Sequence, residues 1–287
     1  MRLDDLTAWL DDYLDLRSYP SDPSLNGLQV EGSGEVRKVA LAVDASLNAF
    51  EQAAEIGADM LIAHHGVFWG PARAVVGMHR RRLAFLLERD ISLYAAHIPL
   101  DAHQEVGNNW GLARVLKLEA LEPFGAFKGM PIGCKGRFPA PVDLHDLADR
   151  IEKALGESVL VHAGGDMAVE TLGIVSGAAA WDVVTASDQG LDAFLTGEPK
   201  HDVFNEVFER GMNALYAGHY MTETVGVNLL GDKVRDELGV DTEFILLHVA
   251  PFNGPMQLKV GNEYRIIGHN LAELIRVIAV EDEPSAS

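Results

Sequence analysis

The chain repeats itself once, over a long period, and that leaves few folds open. "LDDLTAWLDDYL" from Leu3 matches "LHDLADRIEKAL" from Leu144, and both carry leucines at helical spacing. The 30 residues from Val36 lie over those from Val169 at an offset of 133, with five identities and no gap. Pattern says more than identity here. Each copy runs through an apolar stretch, small residues, an amphipathic stretch, a Gly-x-Asp turn (Gly57/Asp59 and Gly190/Asp192) and a second apolar stretch. That order reads as strand, helix, strand. Next, Leu93-Tyr94-Ala95-Ala96-His97 faces Leu215-Tyr216-Ala217-Gly218-His219 at an offset of 122. The fall from 133 to 122 gives the first copy about 11 more residues, just after His64 and His65, around "GPARAVVGMHRR". Helical segments are expected after both third strands, near Gly107–Leu118 and Gly226–Leu238. The fold class is therefore α/β, two units of one ancestry with largely parallel or mixed sheets under helical cover.

The units are expected over residues 1–123 and 143–250, joined by the Gly- and Pro-rich stretch 124–142. Residues 251–287 have no counterpart in the first copy. There "MQLKVGNEYRII" predicts a hairpin, "NLAELIRVI" a helix and "EDEPSAS" a disordered end.

The chain is 48% hydrophobic and 23% charged, as soluble globular proteins are, and no apolar run nears the roughly 20 residues of a membrane helix. The acidic, amphipathic start lacks the basic and apolar regions of a signal peptide, which predicts a cytoplasmic protein. A single cysteine, Cys134, excludes an internal disulfide and reads as a structural thiol. The net charge of −20, with 15 arginines and only 8 lysines, repels nucleic-acid polymers and anionic membranes at long range. A small anionic substrate stays compatible with it, because bound cations reverse the local field. A salty cytoplasm is one origin of such a surface.

The repeat marks where chemistry sits. His97-x-x-x-Asp101 lies over His219-x-x-x-Glu223, and each pair follows a strand ending in Leu-Tyr-Ala. Strand ends are where open α/β sheets place their sites. A histidine and a carboxylate four residues apart share one face of a helical turn and can reach one ion. His64 and His65 end the second strand of the first copy, where the second copy has Gly197 and Glu198. Adjacent side chains on a strand point to opposite faces, so two neighbouring imidazoles at its end can reach two different ions. Imidazole and carboxylate donors suit zinc, iron, manganese, cobalt or nickel more than calcium. His79, His103, His145, His162, His248 and His269 lack this arrangement and read as ordinary. "MHRRR" at Met78–Arg82 reads as a solvated helix face or as cations that neutralise phosphates in the loop beside the site. There is no Walker or GxGxxG sequence.

These residues resemble the NIF-three-like family, whose members carry the name GTP cyclohydrolase 1 type 2 homologue. The resemblance runs from about Leu3 to Ile245. It is carried by "NGLQVEG" at Asn26–Gly32, "AHHG" at Ala63–Gly66, "HIPLDAH" at His97–His103, "TGEPKH" at Thr196–His201 and "GHYMTE" at Gly218–Glu223. It implies two similar, intertwined α/β domains, a dinuclear metal centre in the cleft between them, and a toroidal homohexamer. Carried over by motif, the ligands of two divalent transition-metal ions are His64, His65, Asp101, His219 and Glu223, with Glu223 bridging. The tail beyond about Phe252 departs from the short form of the family, and the large domain inserted in longer members is absent.

The expected function is a dimetal hydrolase of a small, nucleotide-like substrate. In it His97 is the general acid or base, and Glu198 or His201 is a partner behind the ligands. The alternative is a non-enzymatic metal carrier or a ring-shaped interaction scaffold.

Overall fold

The computed structural model describes residues 1–246 and the backbone of two further strands at 256–260 and 263–267. In chain order the first half comprises α1 (Leu3–Tyr13), β1 (Gly27–Val30), β2 (Lys38–Asp44), α2 (Leu47–Glu55), β3 (Met60–His65), α3 (Gly77–Glu88), β4 (Ser92–Ala95), α4 (Ile98–Ala102) and α5 (Asn108–Val115). There follow β5 (Glu119–Phe127), β6 (Met130–Asp143), α6 (Leu144–Leu155), β7 (Leu160–Ala163), β8 (Ala168–Ile174), α7 (Asp182–Asp188), β9 (Ala193–Thr196), α8 (Phe204–Glu209), β10 (Asn213–Tyr216), α9 (His219–Leu238) and β11 (Asp241–Phe244). By itself, the segment β12 (Met256–Val260) and β13 (Glu263–Ile267) forms the antiparallel hairpin expected of "MQLKVGNEYRII". The expected tail helix and disordered end lie outside the described residues.

The fold is mixed α/β with two sheets. The first has the order β1-β4-β3-β2-β11, in which β11, β2, β3 and β4 run parallel and β1 is antiparallel at the edge. The second has the order β5-β6-β8-β9-β10-β7, parallel through β8, β9 and β10 and antiparallel at β7 and β6. The apolar runs explain the parallel cores. Val39 to Val43 and Met60 to Ala63 are all buried, as strands covered by helices on both faces must be. Stretch 124–142, read from sequence as a connector, lies almost wholly in β5 and β6. They pair with each other, and β6 continues onto β8. Its glycines serve close approach: a Cβ on Gly133 would sit 3.0 Å from the Phe124 carbonyl oxygen and nearer still to that of Ile174.

The halves exchange helices. Trp110, Leu112, Ala113 and Leu116, on or just beyond α5, belong to the core over the second sheet, with Leu147 and Ile151 of α6. Val227, Leu230 and Val234 of α9, with Val240 and Ile245, belong to the core of the first sheet, against α1 and β2. Each fully buried leucine or valine is worth about 1.5–3 kcal/mol relative to exposure, so the exchange holds the halves together. It also sets the start of α9 beside the end of β3, where Glu223 and His219 meet His65.

Candidate metal centre

β3 ends on the two histidines. His64 is fully buried and His65 partly so, and their rings lie 4.6 Å apart at 48°. β4 ends just before His97, which precedes the first turn of α4, and α4 brings in Asp101. α9 begins at His219 and presents Glu223 one turn later, so His219 Nε2 lies 3.0 Å from Glu223 Oε1. The expected pairing at i and i+4 is thus realised on a helix.

These side chains converge in three overlapping groups: His64, Asp101 and Glu223; His65, His219 and Glu223; and His64, His65 and His97. Glu223 is shared by two of them. His64 Nε2 lies 3.6 Å from Asp101 Oδ2 and 3.6 Å from Glu223 Oε1, and His65 Nε2 lies 3.4 Å from Glu223 Oε2. The adjacent histidines therefore address different oxygens of one carboxylate.

Each imidazole is held from behind. Nδ1 of His64 donates to the Ala96 carbonyl at 2.9 Å, that of His65 to Asp44 Oδ1 at 2.9 Å, that of His97 to Asp22 Oδ1 at 2.9 Å, and that of His219 to Glu198 Oε1 at 2.7 Å. Every acceptor is a carbonyl or carboxylate, which fixes a proton on Nδ1 and turns Nε2 inward, where its lone pair is free to bind a cation once its own proton is lost. This is how metal-binding histidines are oriented. Asp101 is placed the same way: Asn108 Nδ2 donates to its Oδ1 at 2.8 Å and Ser176 Oγ at 2.9 Å, while Oδ2 faces His64.

The donor set fits a metal. Glu223 is 3% exposed, and its Oε2, like His64 Nε2, is buried with no hydrogen-bond partner. A buried carboxylate and a buried imidazole left unpaired cost several kcal/mol unless a cation joins them. In the metal-free protein burial opposes a charged His64, yet the Asp101 and Glu223 carboxylates outweigh it and push its pKa up to about 9. At His219 burial acts likewise, and Glu223 with Glu198 raises the pKa to about 9. Burial would raise Glu223, but His64 and His65 hold it well below the usual carboxylate range. Gly177, at φ +69°, closes in from the β8–α7 loop. A Cβ there would stand 2.5 Å from Glu223 Oε1 and 3.2 Å from His219 Nε2.

His64, His65, His97, Asp101, His219 and Glu223 are therefore brought together, with Glu198 behind His219. His201 is not: it is exposed on a short turn, His201–Val203, and belongs to none of the three groups. Asp22, Asp44, Asn108 and Ser176 were missed. Asp44 had a signal, since it ends β2 in register with His65, the neighbouring strand end. Asn26, within "NGLQVEG", accepts the His97 N–H at 2.8 Å and donates to Asp22 at 2.8 Å. Of the histidines read as ordinary, His103 meets the Tyr13 carbonyl and His162 sits among Phe204, Phe208 and Tyr216. His248 and His269 lie outside the described residues.

Two sheets that exchange helices around inward-facing imidazoles and carboxylates define, as a class, an α/β protein with a site able to bind metal. The Duf34/NIF3 (NGG1p interacting factor 3) family profile matches residues 1–251. The chain belongs to that family. A protein of Deinococcus radiodurans named GTP cyclohydrolase 1 type 2 homolog is 48% identical over 242 residues, 84% of this chain and 92% of its own length. One of that name from Archaeoglobus fulgidus is 42% identical, covering 85% of this chain and 98% of its own. A solved structure from Thermus thermophilus superposes with a TM-score of 0.80 at 48% identity, covering 87% of this chain and 99% of that one. Among the described residues no helix is long and apolar enough to cross a membrane.

Proposed function

We propose that this chain is a dinuclear-metal hydrolase of small, nucleotide-like substrates, built from a duplicated α/β unit with its metals in the cleft between the halves. One observation carries the reading. Two triads of nitrogen and oxygen donors share Glu223, at a point where Glu223 Oε2 and His64 Nε2 are buried without partners. His64, Asp101 and Glu223 would hold one divalent transition-metal ion, and His65, His219 and Glu223 the other. Such a pair lowers the pKa of water and polarises a substrate carbonyl, ring carbon or phosphoryl oxygen. The relatives' names favour a nucleotide-like substrate.

The chain's own groups then divide as follows. Asp22 holds the Nδ1 proton of His97, and Asn26 holds its backbone N–H, so Nε2 is the atom left to take or give a proton. Trp69 stands edge-on to His97, with ring centroids 4.8 Å apart, and packs that imidazole in place. Glu198 orients His219. The reading includes self-assembly into a ring-shaped homohexamer, which light scattering on the purified protein tests.

The deciding experiment combines elemental analysis of chelator-free protein with turnover assays on nucleotides, cyclic amides and phosphomonoesters after loading with zinc, manganese or iron. About two ions per chain and metal-dependent turnover that disappears in Asp101→Ala are expected. Readily exchanged metal without turnover on any class would make the protein a carrier.

A further inference from the structure

The segment between the double histidine and α3 is charged unlike the rest of the chain. From Gly66 to Leu87 there is no Asp or Glu, while Arg73, Arg80, Arg81 and Arg82 fall there, in a protein of net charge −20. Coulomb attraction in so acidic a chain favours pairing every guanidinium. Yet none of the four makes an ion pair or a side-chain hydrogen bond among the described residues, and Arg82 Nε is buried with no partner. Helix stability does not explain them either. Arg80 closes the first turn of α3, where positive charge opposes the helix dipole and no acid offsets it, and Arg81 and Arg82 follow directly.

Consecutive aromatics tie this segment to the metal centre. Trp69 packs against His65 at 5.7 Å and His97 at 4.8 Å, and Phe68 packs against His79 at 5.1 Å, one residue before Arg80. Around the centre stand Asp22, Asp44, Asp101, Glu198 and Glu223. Two divalent cations would bring four positive charges against these five carboxylates, too few to attract a polyanion. Phosphates would have to be met outside the cluster. Arginine is the side chain suited to that, because its planar fork grips phosphate oxygens in pairs.

We propose that Arg73, Arg80, Arg81 and Arg82 form a phosphate-binding rim. The substrate class is then a phosphorylated small molecule, with its phosphates on the rim and its reacting group over the cluster. This rests on the dinuclear hydrolase reading. The segment overlaps the roughly 11 residues that the first copy has beyond the second, so the rim belongs to one copy only.

The probe is inorganic tripolyphosphate, titrated calorimetrically into the chelator-treated full chain at low ionic strength, so that binding to metal plays no part. The wild type binds, and Arg80→Ala/Arg81→Ala weakens binding by at least about tenfold, the loss of one or two charge-assisted contacts. Arg80→Lys/Arg81→Lys recovers part of it. Arg150→Ala, an exposed arginine on α6, binds like wild type. Before chelation the alanine double variant holds as much metal as wild type. Absence of binding to the wild type, an undiminished double variant, or an equal loss in Arg150→Ala overturns the proposal. So does metal loss in the double variant, since its effect would then run through the cluster. A wild type without metal would sink the dinuclear reading alone, because the rim is measured on chelated protein.

Discussion

At the cluster the four histidines differ in what holds them and in what they face. His219 lies 3.0 Å from Glu223 Oε1, inside a triad, whereas His97 joins only the all-histidine group and is anchored to buried Asp22. We therefore expect His219→Ala to lose much of one metal and His97→Ala to keep both ions while losing turnover. Metal analysis of the two variants side by side checks this, and equal metal loss would make His97 a further ligand. The same residues give the metal-free protein a pH dependence. His64 and His219, raised to about 9, contribute stability that is complete below their unfolded value of 6.5 and lost as pH rises through 9. The chelated protein should then melt at a lower temperature at pH 9.5 than at pH 7, by a stability loss on the order of 2 kcal/mol from buried His64, with the more exposed His219 adding a smaller share. The metal-loaded protein, with its imidazoles already neutral, should not. Parallel melting curves of both forms decide it.

Among the elements, α9 has the most to do. It starts the site with His219 and Glu223, ends in the core of the first sheet, and on the way crosses α5 at Gly226. A Cβ at Gly226 would lie 2.5 Å from Asn108 Oδ1 and 3.0 Å from Asn108 N. That asparagine accepts the Gly226 N–H at 2.7 Å and donates to Asp101 at 2.8 Å. Gly226→Ala should therefore cost about 1–3 kcal/mol of stability and loosen Asp101 and Glu223 at once. The comparison is a Leu155 truncation on α6 of equal stability cost, which should keep its metal; equal metal in both variants would refute the coupling. This crossing was not legible in the sequence. The spacing of Leu230 and Val234 marks a buried helical face, but periodicity does not say which sheet the face meets. By contrast, the strands β2, β3 and β4 and, in the second sheet, β8, β9 and β10 were legible, because both sets fall on short apolar runs at matching places, most plainly in "LYAAH" and "LYAGH". The pairs His97/Asp101 and His219/Glu223 were legible for the same reason, and His64 and His65 as adjacent histidines at a strand end. Asp22 was not, since it lies 75 residues from His97 in a turn that a lone aspartate does not distinguish from any other. Stretch 124–142 reads as a connector because glycine and proline punctuate loops, yet in β5 and β6 the glycines let backbones pack closely.

Across the whole molecule, charge sets two opposed responses to salt. The 43 acidic residues outnumber 23 lysines and arginines, and the ion pairs that form are mostly on the surface, where each is worth about 0–1 kcal/mol. Such pairs do not offset self-repulsion summed over a net charge of −20, which favours the expanded chain. Molar salt shortens the screening length to about 3 Å, less than the spacing of most surface charges, and so removes more repulsion than attraction. The melting temperature should therefore rise from dilute buffer to molar potassium chloride. Anion binding at the arginine rim should move the other way, because the rim's attraction for tripolyphosphate is screened by the same ions while burial within the apolar cores is not. Following melting temperature and tripolyphosphate affinity across one salt series tests both. A melting temperature that stays flat would show that the acidic surface is not under appreciable repulsion, and would remove salt adaptation as the reason for it.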